Sequence, residues 1–76
     1  MTTLKLKNIS IIAENIKKYR NKMGISQDKL SKLAGTTLQT ITKIESGITL
    51  DPRIKTVRKI ADAFSVNVDD LLNEIL

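Results

Sequence analysis

The chain has 76 residues, with 13 Lys and Arg against 8 Asp and Glu, no histidine, no cysteine and a formal net charge of +5. Half of the ~150 residues of an average domain leaves room for one small domain, and its core must come from Ile, Leu, Val and Ala because only 3% of the residues are aromatic. The missing Cys and His exclude disulfides, Cys/His zinc sites, Cys nucleophiles and imidazole acid–base chemistry, while the basic excess favours a polyanionic partner.

The charge is uneven along the chain. Residues 1–23 carry six bases and one acid, whereas residues 66–76 carry three acids and no base. No apolar run approaches the ~18 residues of a membrane span, and the N-terminus has no signal-peptide core. A cytoplasmic protein without a membrane association is expected.

The first eight residues are ambiguous. Thr3 to Lys7 alternates apolar and basic residues, which fits a short strand, a basic arm or a lead-in to the first helix; a flexible arm over 1–8 is the expectation. The domain then occupies 9–76. Ile9, Ile12, Ile16, Tyr19 and Met23 step by three and four, predicting a first helix from about Ile9 to Met23 with Lys17, Lys18 and Lys22 outside. Gly24 is its expected left-handed cap.

Ser26 reads as the N-cap of a second helix over Gln27–Ala34, with Leu30, Leu33 and Ala34 expected on the buried face and Ile25 stapled to Leu30. Gly35 ends it. Thr37 caps a third helix from Leu38 to about Ser46, in which only Ile41 and Ile44 are expected to be buried. Leu38, Gln39, Thr42 and Lys43 then face outward.

A fourth helix runs roughly from Arg53 to Phe64, since Val57, Ile60, Ala61 and Phe64 fall at i, i+3, i+4 and i+7; Pro52 at its first position is one possible start. Asn67 caps a fifth helix, with Asp69 and Asp70 in the first turn and an apolar set of Val68, Leu71, Leu72, Ile75 and Leu76. The fold class is therefore all-α, a compact five-helix domain. Val66, Val68, Leu71, Leu72, Ile75 and Leu76 offer more apolar surface than so small a core needs, and they are the expected homodimer interface.

Two short helices joined by a tight glycine turn, the second exposing polar residues at its N-terminal end, are the parts of a DNA-binding helix-turn-helix. The stretch from Ile12 to Leu72 resembles the lambda-repressor-like, Cro-type helix-turn-helix family, also called XRE-like. Ser26-Gln27, Leu30, Leu33-Ala34-Gly35, Thr37, Ile41 and Lys43-Ile44-Glu45-Ser46-Gly47 carry the pattern, as do Lys59 to Phe64 and Val66 to Leu72. Residues 34–41 and Asp51-Pro52-Arg53 particularly resemble small lambdoid phage repressors.

The resemblance implies a double-stranded DNA-binding regulator without catalysis or cofactor, acting as a repressor on a palindromic operator. By the same resemblance Gln27 binds a phosphate and braces the recognition helix, and Thr37 and Thr40 contact phosphates. Leu38, Gln39 and Lys43 fall at base-reading positions. Their chemistry suits a thymine methyl, adenine and guanine respectively. Arg53 matches an arginine at the minor groove and backbone, and Arg20 with Glu45 matches an ion pair between the first and third helices.

The departures from the pattern are specific. Leu38 stands where glutamine is common, Ile48, Leu50 and Asp51 replace loop residues that are often basic, and Ser65 replaces a glycine, implying a left-handed serine or a reshaped turn. Each group also has a plainer reading: the lysines as a solvated face, Arg20 and Glu45 as an exposed pair worth ~0 to 1 kcal/mol, and the acids of the fifth helix as capping. The alternative function is a protein-interaction module, or an antitoxin or controller type of regulator, whose partner binds helix 68–76 or the N-terminal arm.

Overall fold

A computed structural model describes residues 11–73, which form five helices: α1 Ile11–Met23, α2 Gln27–Ala34, α3 Leu38–Glu45, α4 Ile54–Phe64 and α5 Val68–Leu72. The expected arm over 1–8, the start of the first helix at Ile9, and Ile75 and Leu76 lie outside the described residues. Helix α1 packs on α3 and α5, α2 on α3 and α4, and α4 on α5. Ile16, Leu30, Ile41, Ile44, Ile60 and Leu71 fill the centre with at most 1% exposure, and Tyr19 and Phe64 stack at its edge with ring centroids 5.4 Å apart.

Three helix ends share one device. At Gly24, Gly35 and Ser65 the chain turns left-handed, and the next residue's N–H reaches back to a carbonyl of the last turn: Ile25 to Arg20 at 3.2 Å, Thr36 to Ser31 at 2.9 Å and Val66 to Ala61 at 3.0 Å. This closes the orphan carbonyls and reverses the chain in few residues. Ser65 is the informative case, at φ 59° and ψ 40°. The turn keeps its shape without glycine, at the steric cost of a Cβ in the left-handed region.

The N-termini follow the expected capping chemistry. Ser26 Oγ accepts from the Lys29 N–H at 3.0 Å, Thr37 Oγ1 from the Thr40 N–H at 3.1 Å, and the Asp70 carboxylate from the Asn67 N–H at 2.9 Å. Helix α4 is the exception. It begins at Ile54, with Arg53 as an N-cap that makes no side-chain bond, so Pro52 lies before the helix and not at its first position.

Four further expectations are corrected. Leu33 is 49% exposed, and Ser31 takes its place inside with its hydroxyl donated to the Asp28 carbonyl at 2.7 Å. At 100° per residue, Leu30, Ser31 and Ala34 share a face from whose centre Leu33 is turned by about 100°. Met23, the last residue of α1, is likewise 47% exposed. Glu45 joins Ile41 and Ile44 in the interior at 3% exposure. Leu71 is completely buried, so it belongs to the core and offers nothing to a partner.

Helix α5 is held by an unexpected residue. Asn15, 3% exposed in the middle of α1, donates its side-chain amide to the carbonyls of Leu71 at 2.9 Å and Asn73 at 2.8 Å, with the Asp70 carbonyl at 3.4 Å. These are carbonyls that a helix of five residues cannot satisfy internally. The helix stops there, with Asn73 extended at ψ 153°.

Candidate nucleic-acid interface

The site grows from the turn between α2 and α3. Gly35, Thr36 and Thr37 connect an eight-residue helix to another of eight residues, and the Thr37 hydroxyl fixes the first turn of α3 while sharing a 2.8 Å hydrogen bond with the Thr40 hydroxyl. Ile41 and Ile44 then pull one side of α3 into the core. The opposite side carries the exposed Gln39 and Lys43, and Leu38, 43% exposed, stands at the open N-terminal end of the helix.

The far end of α3 is anchored by charge. Arg20 on α1 donates Nε to Glu45 Oε2 at 2.8 Å and Nη2 to Glu45 Oε1 at 3.1 Å. Gln27 Nε2 reaches the same Oε1 at 2.9 Å, and Arg20 Nη1 donates to the Ile25 carbonyl at 3.0 Å. The Glu45 side chain is 2% exposed and that of Arg20 17%. This is a nearly buried, bidentate pair rather than a solvated one, and Gln27 has one amide hydrogen left beyond its contact with Glu45.

Four of the sequence-predicted residues are brought together elsewhere. Gln39, Thr40, Lys43 and Arg53 line a groove of ≈ 240 Å³ between α3 and the start of α4, along with Thr49 and Thr56. The groove combines two cations, an amide and three hydroxyls, donors that suit phosphate oxygens and base edges. Thr37, Leu38 and Gln27 do not line it. They continue the surface along the N-terminal ends of α3 and α2, where free backbone N–H groups and the helix dipole favour anions.

Sequence reasoning missed Thr49 and Thr56, which carry no motif, and Asn15, whose position between Ile12 and Ile16 on a buried stripe was a readable signal. Val66 and Val68 are half-buried against the core, and Leu72 is 45% exposed. Of the apolar residues assigned to a dimer contact, Leu72 is therefore the one left substantially open among those described. Among the described residues no acidic cluster could hold a metal ion, and no helix is long and apolar enough to cross a membrane.

Comparison with known proteins gives one consistent picture. The profile of a family described as helix-turn-helix matches residues 16–71. The HTH-type transcriptional regulator SinR of Bacillus licheniformis is 33% identical over 64 residues, a stretch covering 84% of this chain and 58% of that protein. Among solved structures, the N-terminal DNA binding domain of SinR from Bacillus subtilis superposes with a TM-score of 0.82 at 31% identity, over 86% of this chain and 94% of that one. The SOS-response transcriptional repressor LexA from Eubacterium rectale gives 0.79 at 32% identity, over 90% of this chain and 71% of that one. The chain thus spans little more than half the length of the SinR protein it matches.

Proposed function

The chain belongs to the XRE-type helix-turn-helix family, and from that premise we propose that it is a sequence-specific double-stranded DNA-binding transcriptional regulator, acting as a repressor on a two-fold symmetric operator. The observation that carries this reading is the division of α3: Ile41, Ile44 and Glu45 are sealed inside while Gln39 and Lys43 remain exposed on the opposite side and Leu38 is exposed at the helix's open N-terminal end. A major groove about 12 Å wide admits one such helix. Leu38 then meets a thymine methyl, Gln39 an adenine edge and Lys43 a guanine acceptor, while Thr37, Thr40, Gln27 and Arg53 hold the backbone.

The formal charge of +5 supports this partner, since each phosphate neutralised releases counterions. Relatives named as transcriptional regulators favour binding over catalysis. The proposal places the protein in the cytoplasm, as a homodimer on its site. Selection of bound sequences from a random duplex pool at physiological salt tests it: an inverted repeat should be enriched, and recovery of no preferred sequence would reject it.

A further inference from the structure

Leu38 is the first residue of α3 and is 43% exposed, at a point where its side chain can neither donate nor accept a hydrogen bond. The hydroxyls nearest to it along the helix are already engaged. Thr42, one turn on at i+4, donates to the Gln39 carbonyl at 3.0 Å. Thr37 and Thr40 share one hydroxyl proton across 2.8 Å, and the Thr37 oxygen also accepts the Thr40 N–H at 3.1 Å. Ile41, at i+3, is completely buried. Gln39 and Lys43 are turned from Leu38 by about 100° and about 140° around the helix axis. The open end of α3 therefore presents an apolar tip with no amide or ammonium group beside it.

We propose that Leu38 reads a C5-methyl group in the major groove and not the base that carries it, so that methylation of a cytosine at this point of the operator tightens binding as the methyl of a thymine does. The proposal rests on the DNA-binding reading above. The first residues of a recognition helix are the ones that meet base edges. There thymine shows an O4 acceptor and a C5 methyl, and cytosine an N4 donor beside a bare C5. A hydrogen-bonding side chain separates the two bases by the atom at position 4. Leu38 has no group for either atom, and its contact improves only with apolar surface at C5. C5 lies at the same place on both pyrimidines, so a methyl there offers Leu38 the same partner on either one. Removing one methyl from water favours binding by about fourfold, and two half-sites multiply this to about 15-fold. Cytosine C5 methylation thereby becomes a signal that this site can register.

The test uses the full chain and the duplex selected from the random pool. Each thymine is replaced by uracil in both half-sites at once, which keeps the pairing with adenine and removes only the methyl. One such replacement should weaken binding by about 15-fold. At the same position, cytosine and 5-methylcytosine, both paired with guanine, should differ by the same factor in favour of the methylated base. Leu38→Ala should bring both ratios to within about twofold of one and leave the affinity for random duplex unchanged, because that affinity comes from phosphates. Leu38→Met, which keeps an apolar tip, should retain both ratios. The wild-type ratios stand without either variant, should one of them fail to fold. Loss of affinity on uracil replacement with no difference between cytosine and 5-methylcytosine would overturn the proposal, as would methyl effects that persist in Leu38→Ala. A wild type that binds its selected duplex but responds to neither methyl also overturns it, and leaves the DNA-binding reading standing. A wild type that binds no duplex removes both.

Discussion

Arg20 and Glu45 join α1 to the last residue of α3 through two parallel hydrogen bonds of 2.8 and 3.1 Å, in a place where the carboxylate is 2% exposed. A bidentate guanidinium–carboxylate contact fixes direction as well as distance. The exposed face of α3 is therefore aimed by an anchor on its own inner side, and Gln27 adds the start of α2 to the same anchor.

Removing the carboxylate leaves the Arg20 guanidinium largely buried and unpaired. Glu45→Ala should cost about 3 kcal/mol of stability, as broken buried pairs do. Urea denaturation of the two proteins measures it. A loss below about 1 kcal/mol, the range of exposed pairs, would show that solvent already screens the contact.

Asn15 is the clasp of α5. Asn15→Leu keeps the volume but orphans the carbonyls of Leu71 and Asn73, which should cost ~1 to 3 kcal/mol. Hydrogen exchange should show the amides of α5 losing protection well before those of α2 and α4. Uniform loss across all helices would mean that α5 has no separate opening and that Asn15 acts on the domain as a whole.

Ser65 holds a left-handed conformation that favours glycine. Ser65→Gly should raise stability by about 1 kcal/mol, because the ~1 to 2 kcal/mol penalty of the Cβ is removed and part of the gain is returned as unfolded-chain entropy. Thermal unfolding tests the sign. A lower midpoint for the glycine variant would show that the serine side chain contributes more than its strain costs.

The capping residues and the 3.6-residue period made most of the fold readable: Ser26, Thr37 and Asn67 mark starts, Gly24 and Gly35 mark ends, and Ile12, Ile16, Ile41, Ile44, Ile60 and Phe64 mark the inner faces. What misled was chemistry that periodicity does not encode. Leu33 looks like core, yet in a helix of eight residues touching two neighbours a serine of smaller volume faces inward. Asn15 is polar and buried because a short helix elsewhere lacks partners for its carbonyls. Proline before Arg53 suggested an earlier start for α4, whereas Arg53 stays extended at ψ 144°. The exposed face of α3 was legible as polarity against a buried stripe, but the groove with Thr49 and Thr56 depends on how the loop folds back.

Gln39 and Arg53 line one groove and are proposed to do different work. Gln39→Ala should cost ~1 to 3 kcal/mol on the preferred duplex and leave random duplex almost unaffected. Arg53→Ala should weaken both and lower the magnitude of the log-affinity versus log-salt slope by about 1 per subunit. Titration of both variants across a salt series reads the two effects separately. Equal weakening by Gln39→Ala on both duplexes, with an unchanged slope for Arg53→Ala, would misplace α3 relative to the groove.

The central claim is that the outward face of α3 reads duplex DNA, and its most direct measurement is the affinity of the wild-type chain for its selected duplex and for random duplex over a salt series. Both affinities should fall linearly on log–log axes with a slope of several, and the selected duplex should be bound at least ~10³-fold more tightly at physiological salt. Equal affinity for the two duplexes, or binding that salt does not change, would contradict it.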